Sequence, residues 1–382
     1  MRVLIVTTGY PREKADYSGI FIKRLALALA KAGAQVVVLA PGDRKARLKE
    51  TQEGIEIIRF IYAPRFFMRL AYGEGGIPEN LKRWPWLFAF LPFFLLSLAL
   101  YVIALSGRCD VIHSNWLITG LLSLPAKAMR KRPLVVTLRG TDLLTASRRI
   151  LSLVITKADA VTTVNEKWSQ GLGRIFGRSV LYTPNGVEAS QKSIDPRREF
   201  NISKNELIVL YVGALRKVKG ADILAETTRI TAVRDRPLRF LVVGPGDPHG
   251  FGLSGLPNVV CTGRMSPIDA LAIYAGCDIF VLPSRSEGRP NALLEAMASG
   301  LPSVATKLPG VEEVLTSESG ILVHPEDAKG LASAICTLAD NPDLRRAMGE
   351  KAKERIETLS LTWGASAANY LAIYERIKFC AV

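Results

Sequence analysis

Two glutamates, Glu287 and Glu295, lie in the string Ser284-Arg285-Ser286-Glu287-Gly288-Arg289-Pro290-Asn291-Ala292-Leu293-Leu294-Glu295. An ionised carboxylate only accepts hydrogen bonds, so each can take hydroxyl protons from a sugar. Between them, Pro290 is placed as a first helical residue, and the N–H groups of Asn291, Ala292 and Leu293 would be unpaired at the helix start. Such a start attracts phosphate. Two acceptors bracketing an anion site make chemistry for a sugar attached to a diphosphate. The plainer reading is a solvated loop charge at Glu287 and an acid favoured by the helix dipole at Glu295. The two glutamates alone leave both readings open.

This string needs a strand before it and a helix after it. The apolar run Asp278 to Leu282 has the length and β-branched content of a buried parallel strand, and helical spacing begins at Asn291. A second strand pattern, Leu207 to Val212, leads into Gly213-Ala214-Leu215-Arg216-Lys217-Val218-Lys219-Gly220 and a helix. Three cations before a helix suit a diphosphate, although a solvated loop can be basic by chance. Phe240 to Val243 ends at Gly244-Pro245-Gly246, and Val259 to Thr262 ends at Gly263-Arg264-Met265. Ser303 to Thr306 and Gly320 to Val323 complete a second sheet.

The first half has the same architecture without repeating the sequence. Val3 to Thr7, the turn residues Gly9 and Pro11, Ser18-Gly19, a helix from Ile22 to Gly33 and the strand Ala34 to Ala40 open a doubly wound domain. Gly19 lets backbone approach a ligand there. No GxGxxG is present, so the dinucleotide fingerprint is excluded. Asp110 to His113 and Leu134 to Leu138 are predicted strands that put His113, and Arg139-Gly140-Thr141-Asp142, at the ligand edge of the sheet. A lone histidine there is also readable as a satisfied strand-end residue. Ala160 to Val164 and Val180 to Thr183 follow, then the turn Pro184-Asn185-Gly186-Val187 and a charged passage, Glu188 to Lys204.

A chain of 382 residues suits two α/β domains, and 48% hydrophobic content excludes general disorder. The net charge of +15 is uneven: residues 1–190 hold 27 Lys or Arg against 13 Asp or Glu, and the rest 23 against 22. The first half is therefore expected to face something anionic: a membrane leaflet, a lipid diphosphate or nucleic acid. Nucleic acid is not the expected partner, because aromatic residues are not interleaved with the basic clusters in a recognised binding motif. Five scattered cysteines and three histidines show no metal-site spacing and fit reduced thiols. Met1-Arg2-Val3-Leu4-Ile5-Val6 passes directly into a strand pattern without signal-peptide character, so a cytoplasmic chain is expected.

Trp84 to Leu105 contains no charge over 22 residues. Three placements are open: a buried or interface helix, a monotopic membrane-inserted segment, or a span. Pro85 and Pro92, and the continuation of one domain on both sides, count against a span. The basic cluster Arg65, Arg69, Lys82 and Arg83 just before it favours anionic headgroups.

Glu287 and Glu295 at this spacing, with Glu295-Ala296-Met297-Ala298 and Gly300-Leu301-Pro302 after them, resemble the paired-glutamate motif of retaining glycosyltransferases of the two-domain GT-B type, family 4 in particular. The resemblance runs nearly the full chain. It implies two Rossmann-like doubly wound parallel-sheet domains facing a central cleft. Residues 1–187 would bind acceptor, with a terminal helix from about 360 to 382 packing back on them, and residues 188–359 would bind a nucleotide sugar.

Carried over onto this sequence, Glu287, Lys219 and Arg216 are catalytic. Glu295, Gly288, Asn291, Ala292, Leu293, Gly263, Arg264, Met265 and Gly19 contact the donor, and His113, Arg139 and Asp142 contact the acceptor. The match departs from the family at several points: Ser18-Gly19 replaces paired glycines, Ala214 replaces an arginine for which Arg216 would substitute, and Arg139 stands where a histidine is usual. Glu313 matches a family glutamate, with Glu312 where proline is more usual.

The implied reaction is sugar transfer from a nucleotide-diphosphate donor, UDP being the commoner choice. It proceeds with retention, without metal and with no cofactor besides the donor. The acceptor would be a glycan or lipid-linked sugar, and the enzyme cytoplasmic or peripheral on the inner face of the membrane. A sugar-nucleotide epimerase or hydrolase of the same fold, a sugar-binding module without catalysis and a basic nucleic-acid-binding protein are the alternatives.

Overall fold

The computed structural model describes residues 1–13, 16–73, 76–139, 146–187, 190, 192–232 and 237–379. The chain divides into two compact units, Met1–Gly186 with Trp363–Val382, and Val187–Thr362.

In the first unit β1 (Arg2–Val6), β2 (Gln35–Pro41), β3 (Lys49–Gln52), β4 (Ile55–Phe60), β5 (Val111–Asn115), β6 (Leu134–Leu138), β7 (Ala160–Thr163) and β8 (Leu181–Tyr182) form one sheet. Its order is β3-β4-β2-β1-β5-β6-β7-β8. Only the β3–β4 pair is antiparallel. This hairpin adds to the strands legible in the sequence. Its turn is Glu53-Gly54, both at positive φ (52° and 80°), which fits a two-residue connection but lacks the usual Asn-Gly or Asp-Gly signature.

β5 runs two residues beyond His113, and all five of its residues are buried. His113 is therefore interior to the strand and not at its end. The helix Trp363–Phe379 buries Trp363, Ala367, Tyr370, Tyr374 and Ile377 in the same core as Val3, Ile5 and Leu25. Steps of three and four residues place all five on one helix face.

The uncharged segment becomes a 3₁₀ turn, Pro85–Phe90, and a helix, Leu91–Ser106. Pro92 falls in the first turn, where its missing N–H removes no helical bond, so it starts the helix instead of breaking it. Phe94, Leu98, Val102 and Ser106 form one buried stripe, with Phe94 5.0 Å from the ring centroids of both Phe60 and Tyr62. Phe93, Leu96 and Leu100 on the same helix are exposed. Of the placements left open, a wholly buried helix is excluded: one stripe is core, Leu95 and Tyr101 pack partly against it, and Phe93, Leu96 and Leu100 stay exposed.

The second unit is a six-stranded sheet of β9 (Leu207–Val212), β10 (Leu238–Val243), β11 (Val259–Gly263), β12 (Ile279–Leu282), β13 (Ser303–Thr306) and β14 (Gly320–Val323). Every pair is parallel and the order is β11-β10-β9-β12-β13-β14. Val209, Phe240, Ile279 and Val304 pack with Leu331 and Ile335 of a covering helix, Ala328–Asp340. Strand order reverses between β9 and β12, which makes their carboxyl ends the topological switch point where open α/β sheets bind ligands.

Candidate active site

The loops after β9 and β12 are clamped together at that switch point. Gly220 has φ of 70°, and a Cβ there would lie 1.9 Å from the Pro283 carbonyl oxygen, so only glycine permits the approach. The Arg285 N–H donates to the Val218 carbonyl at 2.9 Å. Its guanidinium donates to both Asp222 oxygens (2.6 and 2.9 Å), to Glu326 Oε2 (2.6 Å) and to the Lys217 carbonyl. The hydrogen bonds from Arg285 hold the Asp222 carboxyl below the usual carboxylate range. From the other side, a Cβ on Gly310 would meet the Gly288 carbonyl oxygen at 2.0 Å, so Gly310 forms a wall against the Glu287–Gly288 backbone.

Inside this frame Lys219 Nζ donates to Glu287 Oε1 and Oε2 at 2.8 and 2.9 Å, and Ser284 Oγ donates to Oε1 at 2.7 Å. The Glu287 side chain is 7% exposed and that of Lys219 36%. A nearly buried carboxylate is tolerated when it is paired and hydrogen-bonded, and Lys219 and Ser284 supply both. Tyr211 lies beneath, its phenol raised by burial and then by the Glu287 charge. Arg216, half-buried, has no ion pair among the described residues.

Pro290 caps the helix Asn291–Ala298 from outside, at φ −78° and ψ 106°, one position before the expected place. Its carbonyl accepts from the N–H groups of Leu293 and Leu294 at 3.1 and 3.2 Å. The expectation of an unpaired Leu293 N–H is corrected: the first turn tightens and spends it internally. Glu295, half-buried on this helix, accepts from the hydroxyl of the buried Tyr274 at 3.2 Å. Gly263 ends β11 at φ of 69°, its carbonyl accepting from the Gly244 N–H at 2.9 Å, and Arg264 beside it is exposed. Arg289, whose side chain is 1% exposed, places Nη2 4.0 Å from Glu313 Oε2. Burial alone marks Arg289, and burial is not written in the loop's sequence.

The first unit builds a separate polar edge. Gly19, at φ of 68°, would place a Cβ 2.1 Å from the Gly9 carbonyl oxygen, so the loop after β1 closes glycine on glycine. Arg139, just past β6, donates from Nε to Asn115 Oδ1 (2.9 Å) and from Nη1 to Asn185 Oδ1 (2.8 Å), and lies 4.8 Å over the Phe21 ring. Phe21 meets Trp116 edge-on at 5.8 Å. Trp116 has φ of 73° and ψ of 156°, a sparsely populated region that costs energy for a bulky residue and clusters at functional sites. Asn115 and Asn185 were not among the residues singled out in the sequence.

His113 is excluded from this edge. It is fully buried, with Nε2 2.7 Å from Thr137 Oγ1, Nδ1 2.6 Å from the Tyr374 hydroxyl, and its ring 4.7 Å from Tyr370. Burial, followed by the charge of Arg139, pushes its pKa down to about 3, so it is a neutral core residue. The expected acceptor contact at His113 is corrected. Asp142, with Gly140 and Thr141, lies outside the described residues.

Residues 206–341 match the family described as "Glycosyl transferases group 1", and residues 18–186 match "Glycosyl transferase 4-like domain". The chain belongs to the group 1 glycosyl transferases. Its relatives include a D-inositol 3-phosphate glycosyltransferase of Corynebacterium aurimucosum, 26% identical over 93% of this chain and 90% of the relative. Another is the putative teichuronic acid biosynthesis glycosyltransferase TuaC of Bacillus subtilis, 25% identical over 88% of each chain. Among solved structures, sucrose-phosphate synthase of Thermosynechococcus elongatus matches with a TM-score of 0.82 at 23% identity, covering 100% of both chains. Anabaena HepE in complex with UDP and glucose matches with a TM-score of 0.73 at 17% identity, covering 98% of this chain and 100% of that one. Both are GT-B neighbours, and the fold here is GT-B.

For a glycosyltransferase of this family the second unit collects most of the residues picked from the sequence. Lys219, Glu287 and Gly288 meet at the switch point, with Arg216 on the adjoining loop, and Asn291, Ala292 and Glu295 lie on the helix leaving it. Gly263, Arg264 and Met265 stand at the end of the outermost strand, two strands from β9. Ser284, Tyr274 and Arg289 are additions that only contacts and burial reveal.

Proposed function

We propose that this glycosyltransferase takes a nucleotide-diphosphate sugar, with UDP as its nucleotide, at the β9–β12 edge of the second unit. The observation that carries the reading is the pairing of Lys219 with Glu287 there: a mobile cation is parked on a carboxylate at a ligand-binding edge. An incoming diphosphate competes with Glu287 for the ammonium. Once released, Glu287 is an acceptor pair for the hydroxyls of the donor sugar.

Breaking the anomeric bond puts negative charge on the leaving diphosphate, and groups aimed at that charge lower the barrier. Lys219 and Arg216 supply cations, and the start of the helix Asn291–Ala298 supplies backbone N–H groups and the positive end of its dipole. Glu295 receives the ribose hydroxyls in an orientation set by Tyr274, and the backbone of Gly263 to Met265 lies beside the base. The transfer proceeds with retention and without metal, as the family resemblance implies. In the first unit, Arg139 is a permanent cation and cannot act as a base, so it holds an anionic group on a glycan or lipid-linked acceptor.

Calorimetry with UDP, GDP and ADP, followed by turnover assays in chelator with the anomeric product read by NMR, tests this reading. Binding of UDP, turnover in chelator and a retained anomer are expected. Absence of binding by every nucleotide diphosphate would remove the donor site. Turnover abolished by chelator and restored by magnesium or manganese would overturn metal independence, and an inverted anomer would overturn retention.

A further inference from the structure

We propose that the first unit docks monotopically on an anionic membrane leaflet through an apolar plate formed by the turn around Phe66 and the outer face of Pro85–Ser106. Phe66 and Phe93 are 61% and 60% exposed, and Phe88, Leu96 and Leu100 each more than half. The surface is continuous: Phe67 stacks on Phe90 at 5.5 Å and meets Trp86 edge-on at 6.1 Å, while Ser97 Oγ donates to the Ile61 carbonyl at 2.6 Å. Large exposed apolar patches on proteins mark interaction sites.

Charge identifies the occupant. Arg44 and Arg69 lie over the Phe66 ring at 4.7 and 5.4 Å, and Arg83 over Trp84 at 4.9 Å. Arg65 and Lys82 add to this rim. The nearby acid Glu79 is paired with Lys82 at 3.2 Å, and Glu74 lies outside the described residues. Cations and aromatic rings beside an uncharged apolar face match the headgroup and acyl layers of an anionic leaflet.

A protein partner would need hydrogen-bonding groups across so large a face. Between Trp84 and Leu105 the hydroxyl side chains are Ser97, already turned to Ile61, and Tyr101, which packs against the core with its ring 6.3 Å from that of Phe60; neither belongs to the exposed face. A second copy joined through the same face would bring two basic rims together. The run Pro85–Ser106 is long and apolar enough to cross a membrane, but Phe94, Leu98 and Val102 are committed to the core of the unit. The segment therefore lies in the interface without crossing. Taken with the proposed function, this attachment brings the enzyme to an acceptor carried by lipid, while the soluble donor arrives from water.

The test is flotation of the full chain with acceptor-free vesicles of phosphatidylcholine, with and without phosphatidylglycerol. Binding to the anionic vesicles is expected, weakened by high salt, with a blue shift of Trp84 and Trp86 fluorescence. Replacing Phe93, Leu96 and Leu100 together by Ser should weaken vesicle binding by at least about 100-fold while the melting temperature and UDP affinity hold. Lys82→Gln with Arg83→Gln should weaken it by roughly 30-fold on anionic vesicles and little on neutral ones.

No flotation with either vesicle at low salt overturns the proposal. So does unfolding of the triple-Ser variant, which would make the face core, or a self-association that this variant abolishes in a protein that ignores vesicles. If vesicles bind but no lipid-linked acceptor is glycosylated, the docking surface stands and the acceptor reading falls.

Discussion

Lys219 and Glu287, 68 positions apart in the chain, hold each other through both carboxylate oxygens at 2.8 and 2.9 Å. A donor diphosphate must break that pair. Lys219→Ala should weaken UDP binding by about 1.5 to 3 kcal/mol, the scale of a charged hydrogen bond. Glu287→Gln removes the competitor, so UDP should bind at least as tightly as to the parent while sugar transfer falls. Calorimetry on both variants checks the pair, and unchanged affinity in a folded Lys219→Ala protein would sink the assignment.

Glu295 should matter to turnover more than to stability, because it is half-buried and accepts from the Tyr274 hydroxyl at 3.2 Å. Glu295→Gln keeps the shape and loses the charge. Turnover should drop by roughly tenfold or more with the melting temperature almost unchanged. Tyr274→Phe should show a milder loss through misplacement of Glu295. Activity equal to the parent in Glu295→Gln would return it to an ordinary helix acid.

Gly310 is held to glycine by space alone. Its backbone is compatible with alanine, yet the added methyl would sit 2.0 Å from the Gly288 carbonyl oxygen. Gly310→Ala should cost about 1 to 3 kcal/mol or push the Glu287–Gly288 backbone aside. Thermal melts and transfer rates measured together should show at least one of these losses. A variant identical to the parent in both would mean the wall is not there.

His113 should give the first unit an acid limit. Its folded pKa of about 3 is below the ordinary value of 6.5, so on acidification the unfolded chain takes up the proton first. Stability should be flat above pH 7 and fall as pH drops through 6.5 towards 3, with a slope approaching about 1.4 kcal/mol per pH unit from this group. All five tryptophans, at 84, 86, 116, 168 and 363, belong to the first unit, so their fluorescence during urea melts reports that unit alone. His113→Gln should flatten the slope, and an equally steep profile in that variant would place the titration elsewhere.

The sequence by itself determined the features that depend on near neighbours. Continuous apolar runs bounded by glycine and proline placed all six strands of the second unit, and the Glu287–Glu295 string placed one glutamate on a loop and the other on the following helix. The tertiary structure decided what depends on strand order and burial. Lys219 meets Glu287 because β9 and β12 are adjacent, a relation carried by backbone pairing between distant segments and by no local signal. His113 is core because β5 extends past it and Tyr374 arrives from the far end of the chain. The helix Leu91–Ser106 is uncharged on every side, so no contrast along the sequence could say which stripe packs on Phe60 and Tyr62 and which stays exposed.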